Sequence, residues 1–249
     1  MTFSATATAS AMSSEMSLTG ILSGLALKSP GIALAASVRP AIPAVPTVEF
    51  GPKCMIFLEG TPANSLYEVV EGVVLLYKML MDGRRQVMGF VHPGEMFGLS
   101  GRGTYLCSAQ ATGTVRLIAV SRTRFESLRR NQPSIERRLL AVMGEDLQRA
   151  QDHLVLLGRK SACEKLCSFL VDVANRSNRT GKPTDVIHLP AMRADIADFL
   201  GLTVETVSRA LAQLKSAKIV RLRSTEDVEV LDWDTLTGYA ECERSALAA

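Results

Sequence analysis

Apolar residues follow three different spacings along the chain, and the first of them is typical of strands. Between residues 49 and 121, short apolar runs end near glycines 51, 60, 72, 83, 94 and 98. The Asp82–Gly83 pair separates two such runs and indicates a hairpin, because glycine accepts the positive φ of a tight turn. Short, closely spaced strands with glycine turns predict a small antiparallel barrel or jelly roll.

The second spacing is helical and covers residues 134–160, which contain no proline. Its apolar positions keep close to the 3.5-residue period of a seam between two helices. A helix with so narrow an apolar line needs a partner helix, so we predict that it forms a dimer interface; the alternative is a helix that lies on its own barrel. The predicted seam residues are Leu139, Met143, Leu147, Ala150, Leu154 and Leu157.

The third spacing lies in "RADIADFLGLTVETVSRALAQLK" and predicts two short helices joined by a turn. The first helix runs from Arg193 to Leu200, Gly201 forms the turn, and Thr203 is the N-cap of the second helix. This is the helix-turn-helix pattern. The stretch "KIVRLRSTEDVEVLDW" adds two strands around a polar turn, which predicts a winged helix-turn-helix domain.

Polar residues on the second helix point to DNA. Glu205, Ser208 and Arg209 are three and four residues apart and therefore share one face. A carboxylate accepts from the cytosine amino group and a guanidinium donates to guanine, so the pair is suited to the major groove. The alternative is a surface ion pair between Glu205 and Arg209. Residues near the helix N-termini favour phosphate oxygens, and these are Arg193, Thr203 and Thr206.

Composition limits the wider class of protein. The chain has 249 residues and a formal net charge of +3, which suits one large domain or two ordinary ones. With so mild a charge, any nucleic-acid surface must be local. Five irregularly spaced cysteines do not suit a secreted disulfide framework. The cysteine pattern therefore favours a protein of the reducing cytoplasm.

Residues 1–47 differ in composition from the rest of the chain. They are rich in Ala, Ser and Thr and end in a proline-punctuated linker, so we predict a largely disordered extension. Lys28 and Pro30 interrupt its apolar stretch too early for a membrane span. A signal peptide would require basic residues before the apolar stretch, and no basic residue precedes Lys28. The alternative is an amphipathic helix around Leu18–Leu25 that docks on the main body.

The order of these parts resembles the CRP/FNR superfamily of bacterial transcription regulators, and especially its FixK-like branch. The similar segments are "DGRRQVMGFVHPGEMFG", "RAQDHLVLLGRK", "FLVDVA" and "RADIADFLGLTVETVSRAL". The resemblance implies an α+β chain with a β-roll like a cyclic-nucleotide-binding domain at 48–133. A dimerisation helix at 134–158 and a winged helix-turn-helix domain at 159–249 would follow. It also implies a homodimeric activator of genes for microaerobic respiration and nitrogen fixation.

The same resemblance assigns partners to particular residues. Glu205, Ser208 and Arg209 match the E-x-x-S-R recognition pattern, which implies a TTGAT-N4-ATCAA-like palindrome on double-stranded DNA. The family also contacts RNA polymerase, and the candidate contact is the exposed turn at Asp82, Gly83, Arg84 and Arg85.

Departures from the superfamily concern the effector. Gly98–Leu99 and Cys107–Ser108 stand where cyclic-nucleotide-binding relatives carry Gly-Glu and Arg-Ser pairs. A buried phosphate without that arginine would be costly, so we expect no cyclic AMP. The iron–sulfur branch needs an N-terminal cysteine group, and no cysteine precedes Cys54. We therefore expect no cofactor and no metal.

Three alternatives stay open. A haem-based gas sensor would need an axial ligand such as His92, Cys54 or Cys107. A thiol-based redox sensor would use Cys107 or the pair Cys163 and Cys167. A cupin-like metalloenzyme needs several converging histidines, but the chain has only three, and only His92 falls in the barrel region.

Overall fold

A computed structural model describes residues 47–178 and 185–241 of the chain. Its N-terminal part is a β-roll of two antiparallel four-stranded sheets, with strand orders β1-β8-β3-β6 and β2-β7-β4-β5. The predicted jelly roll and the α+β class are confirmed. The strands are β1 Thr47–Phe50, β2 Met55–Phe57, β3 Ser65–Glu71, β4 Val74–Met79, β5 Arg85–Val91, β6 Met96–Phe97, β7 Ser108–Ala111 and β8 Val115–Ser121.

The hairpin between β4 and β5 closes at the predicted turn. Gly83 has φ 83°, and its N–H donates to the carbonyl of Leu80 at 3.0 Å. The N–H of Leu80 donates to the carbonyl of Arg84 at 2.8 Å, so the turn is tight. The hairpin register pairs Met79 with Arg85, and β5 therefore starts directly after the turn.

Aromatic rings fill part of the space between the two sheets. The rings of Phe57 and Tyr105 stack with centroids 3.7 Å apart, and Tyr67 and Phe97 lie 5.4 Å apart. The Tyr105 hydroxyl donates to the carbonyl of Ser65 at 2.8 Å, so its polar atom is satisfied inside the roll. The rings thus form a packed core among strands of both sheets.

Two helices follow the β-roll: α1, Arg122–Asn131, and α2, Pro133–Arg159. Helix α1 is capped by the Ser121 hydroxyl, which accepts from the Arg124 N–H. It was not predicted, because Phe125 is its one buried residue and it has no apolar stripe. Helix α2 begins with proline in its first turn, where the missing N–H costs nothing, one residue before the predicted start.

The C-terminal part confirms the predicted winged helix-turn-helix fold. Its elements are α3 Ala162–Asn178, β9 Val186–His188, α4 Arg193–Leu200, α5 Val204–Ser216, β10 Val220–Leu222, β11 Asp227–Val230 and α6 Trp233–Ala240. Strands β10, β11 and β9 form an antiparallel sheet in that order. Gly201 ends α4 in the left-handed region at φ 62°, and the Thr203 hydroxyl caps α5 by accepting from the Thr206 N–H.

One apolar cluster joins the β-roll to the C-terminal part. Buried side chains of β4 and β5, including Leu75, Val87 and Phe90, belong to the same cluster as the helix-turn-helix core residues. The core between α4 and α5 consists of the residues predicted for it, Ile196, Ala197, Leu200, Leu202, Val207 and Leu211. The position of the DNA-binding motif is therefore coupled to the β-roll by packing.

The prediction for residues 1–47 lies outside the described residues, apart from Thr47. Within the described ranges, no helix combines the length and apolar character needed to cross a membrane.

Candidate nucleic-acid interface

The polar face of α5 forms as the sequence predicts. The side chains of Arg209 and Glu205 are 78% and 72% exposed. Ser208 lies between them and is half-buried. The opposite side of the helix, which includes Val207, Leu211 and Leu214, is buried. The buried side fixes the helix, so the polar face is held toward solvent.

Glu205 and Arg209 form an ion pair in the free protein. Nη2 of Arg209 lies 2.6 Å from Oε1 of Glu205. An exposed pair of this kind stabilises a helix by only about 0.3–0.5 kcal/mol. A good base contact contributes about 1–3 kcal/mol of discrimination. The ion pair is therefore weak, and opening it costs less than a good base contact would contribute.

Threonine hydroxyls define the start of α5. Oγ1 of Thr203 accepts from the Thr206 N–H at 3.1 Å, and the two Oγ1 atoms lie 2.8 Å apart. The two hydroxyls share one hydrogen, which leaves the other hydroxyl hydrogen available to a phosphate oxygen. Arg193 begins α4 and is half-buried. All three predicted phosphate-binding residues thus lie at the N-termini of the motif's two helices.

The wing carries two arginines that our sequence reasoning missed. Arg221 of β10 and Arg223, which directly follows that strand, both pair with Glu229 of β11, at 3.2 and 2.7 Å. The hydrogen bond from Arg223 holds the pKa of Glu229 below its ordinary value. Both guanidiniums remain mostly exposed and keep donors for a phosphate. The sequence feature that could have identified them is the R-x-R spacing in the predicted wing.

Helix α2 presents an exposed apolar face in its middle. Four of the six predicted seam residues, Met143, Leu147, Ala150 and Leu154, are exposed. Leu140, which we did not predict, is exposed as well and continues the same spacing toward the N-terminus.

The two ends of the predicted seam lie on the chain's own cores. Leu139 packs against the cluster that contains Phe125 and Ile135. Leu157 packs against the C-terminal core, and its Cδ2 would lie 3.1 Å from a side chain placed at Gly201. Intrachain packing thus occupies both positions, and the exposed face is shorter than the predicted seam.

The β4–β5 turn corrects one prediction. Asp82 and Arg84 are exposed and pair at 2.7 Å, which lowers the pKa of Asp82. Arg85 is not part of an exposed turn, because its side chain is 25% exposed and reaches α4. There it pairs with Asp195 and, at 2.8 Å, with Asp198. A long-range ion pair, which local sequence does not reveal, turns Arg85 toward the helix.

The predicted thiol and haem positions differ in their surroundings. Burial raises the pKa of the half-buried Cys107 thiol. The hydrogen bond with Cys163 and burial raise the pKa of Cys167, whereas the same bond lowers that of Cys163. Burial lowers the pKa of His92 to about 4. The described part of the chain contains no cluster of three or more histidine, cysteine or carboxylate side chains able to hold a metal ion.

The β-roll and the winged helix-turn-helix part each match the model of a known domain family. Residues 47–132 match the cyclic nucleotide-binding domain, and residues 164–239 match the Crp-like helix-turn-helix domain. Among curated proteins, the transcriptional activatory protein AadR of Rhodopseudomonas palustris is 41% identical over 185 residues, 74% of this chain and 77% of that protein. The nitrogen fixation regulation protein FixK of Azorhizobium caulinodans is 40% identical over 210 residues, 83% and 85% of the two chains.

A solved structure agrees with these relatives. FixK2 from Bradyrhizobium japonicum superposes with a TM-score of 0.74 at 33% identity and covers 83% of this chain and all of that one. Its similarity spans the β-roll, the long helix and the winged motif together. The chain therefore belongs to the FixK-like branch of the CRP/FNR family of DNA-binding transcription regulators and is not an enzyme.

Proposed function

We propose that this protein is a cytoplasmic homodimeric activator that binds a TTGAT-N4-ATCAA-like palindrome and controls genes of microaerobic respiration and nitrogen fixation. The names of its relatives support the regulated processes, since several are nitrogen fixation regulation proteins. The observation that carries the proposal is the exposed polar face of α5, where Glu205, Ser208 and Arg209 stand together.

Each residue of that face has a distinct role in the proposed readout. Arg209 donates two hydrogen bonds to O6 and N7 of a guanine. Glu205 accepts from the amino group of a cytosine, and the Ser208 hydroxyl contacts an adjacent base edge or phosphate. Arg193, Thr203 and Thr206 hold phosphates and thereby fix the register of the helix in the groove.

The exposed face of α2 supports the dimer. Its apolar side chains recur at 140, 143, 147, 150 and 154, which is the alternating three- and four-residue step of a coiled coil. A second copy of α2 would cover this face through the same residues, as a twofold axis requires. The axis then relates two recognition helices, which is why we expect a palindrome.

The β-roll residues support DNA binding without a cyclic nucleotide. The buried Ser108 hydroxyl already accepts from the Glu59 N–H at 3.0 Å, and its neighbour Cys107 carries no cation. Leu99 stands at the carboxylate position and lies exposed on a loop. Neither position offers the charged partner that a cyclic phosphate or a ribose would need.

A contact with RNA polymerase is proposed for the remaining exposed part of the β4–β5 turn. Asp82, Gly83 and Arg84 are exposed, and the preceding Met81 side chain is fully exposed. Such a mixed charged and apolar tip suits a small, transient protein contact.

A random-site DNA selection with the purified protein, in air and without additives, tests the proposal. We expect enrichment of a dyad with TTGAT-like half-sites. Enrichment of a single half-site, or enrichment only after a cyclic nucleotide is added, would contradict it. The Arg116→Ala variant is the control, because Arg116 lies on the β-roll and pairs with Glu71.

A further inference from the structure

Strand β5 contacts the helical half of the molecule through residues near both of its ends. Arg85 at its first position pairs with α4. Phe90 near its end lies between two rings, with centroids 5.9 Å from Phe169 of α3 and 5.4 Å from Phe199 of α4. The turn that follows holds Glu95, which also contacts helices. The strand is thus fixed near both ends.

The contact at the first end is a fork of hydrogen bonds. Nε and Nη2 of Arg85 donate to Oδ2 of Asp198 at 2.9 and 2.8 Å, and Nη2 also donates to Asp195. The guanidinium lies 5.5 Å from the centre of the Tyr77 ring. The next residue, Gln86, donates to the Asp198 carbonyl at 2.9 Å. This forked geometry fixes the orientation of α4 as well as its distance.

The contact at the other end reaches the helix that carries the exposed apolar face. Glu95 pairs with Arg176 of α3 at 3.2 Å and with Arg149 of α2 at 3.3 Å. Its other oxygen accepts from the His92 N–H at 3.0 Å, which fixes the carboxylate in its own turn. Strand β5 and the turn that follows it therefore contact both α4, through Arg85, and α2, through Glu95.

Fixing α4 also fixes the recognition helix. Helices α4 and α5 share the buried core of Ile196, Leu200 and Val207, so they move as one unit. Arg85 holds this unit through Asp195 and Asp198, and the polar face of α5 stays exposed. The contact constrains where the motif stands without occupying its DNA-reading face.

We propose that Arg85 is a positioning residue that sets the distance and angle between the two recognition helices of the dimer. This inference rests on the proposed function, since it requires two copies joined along α2. Half-sites one duplex turn apart lie about 34 Å from centre to centre, so a small rotation of each motif misplaces its base contacts. Arg85 limits that rotation, and with it the half-site spacings that the protein accepts.

Duplexes with different half-site spacing test this role. The variant Arg85→Met keeps the apolar stem over Tyr77 and removes the fork. We expect it to bind the correctly spaced palindrome about 5- to 30-fold more weakly than wild type. On operators with one or two base pairs inserted or deleted, and on a single half-site, its affinity should equal that of wild type. Arg116→Met is the matched control, because its ion pair with Glu71 stays within the β-roll.

A second variant separates positioning from damage to the fold. Asp198→Ala should reproduce the loss of spacing preference, and the double variant should be no worse than either single variant, because both remove the hydrogen bonds between Arg85 and the Asp198 carboxylate. Full spacing preference in Arg85→Met, or equal losses on half-site and palindrome, would overturn the inference and leave the proposed function standing. A wild-type protein without preference for any palindrome would overturn both.

Discussion

Arg209 and Arg85 each pair with carboxylates of the helix-turn-helix, but their surroundings differ. Arg209 and Glu205 stand on the solvent side of α5 with more than 70% of each side chain exposed. Arg85 and its partners Asp195 and Asp198 lie between the β-roll and α4, with 18–33% of each side chain exposed. Ion pairs of the same residue types thus lie on an exposed helix face at Arg209 and at the junction between the β-roll and α4 at Arg85.

Exposure, rather than pairing alone, therefore decides how much such an ion pair contributes to stability. Water competes for the open pair, so the pair separates at a cost of only a few tenths of a kcal/mol. Removing one partner at the junction leaves a partly desolvated charge, which costs more. Substitutions in both regions and a change of pH test this contrast.

The variant Leu154→Glu should have the largest effect, because it disrupts the proposed dimer and leaves the junction between the β-roll and α4 intact. A carboxylate in the exposed apolar face of α2 blocks the second copy, whereas the junction lies within one chain and stays intact. We expect a folded monomer by sedimentation and a loss of operator affinity of at least about 10³-fold. The exposed position Gln148, changed to Glu, is the control. A dimer that binds normally would refute the seam.

The variant Arg209→Ala tests the open face. We expect a loss of about 1–3 kcal/mol on the preferred operator and relaxed discrimination at one base pair, because one guanine contact is removed. Arg193→Ala should instead weaken binding to all DNA sequences alike, and the salt dependence of the binding constant should fall by the amount expected for one lost phosphate contact. Binding to a panel of single-base operator variants measures both effects. Identical profiles for the two variants would contradict the assignment.

Acidification tests the junction, where His153 of α2 stacks on Phe199 at 4.3 Å. Burial and Lys165 lower the pKa of His153, and burial lowers that of His92 to about 4. The unfolded chain therefore takes up protons first, and stability falls as the pH drops from about 6.5 toward 4. We expect a loss of about 2 kcal/mol for His92 between pH 7 and pH 5.

Urea unfolding at the two pH values measures this loss. The variants His92→Gln and His153→Phe should each flatten the dependence on pH, because each removes one titrating ring. An unchanged pH dependence in both variants would assign the acid sensitivity to carboxylates elsewhere.

The variant Glu205→Gln should have the smallest effect on folding. Because its ion pair is open to water, we expect the free energy of unfolding to change by less than about 0.5 kcal/mol. Arg85→Met, measured in the same way, should cost more. Equal costs would remove the contrast between the two regions.

Local signals were sufficient to predict the winged motif. Gly201 and Thr203 mark the end of α4 and the start of α5, and the apolar spacing identifies the buried sides of both helices. These signals act within a few residues, so one sequence contains them. The polar face of α5 followed from the same spacing, since the residues opposite a buried stripe are exposed.

Long-range contacts could not be predicted in this way. Arg85 is 110 residues before Asp195 in the chain, and nothing near either residue indicates the other. Leu139 and Leu157 fit the helical period of the exposed face, but intrachain cores cover them. The spacing of apolar residues indicates only which side of a helix is apolar, and tertiary packing decides what covers that side.

In the proposed complex, two copies joined along α2 read both halves of a palindrome through α5. Native mass spectrometry of the purified protein with a full palindrome and with a single half-site tests it most directly. We predict two chains on each palindrome without added cyclic AMP, and much weaker binding to the half-site. One chain per palindrome, or equal affinity for both duplexes, would contradict the claim.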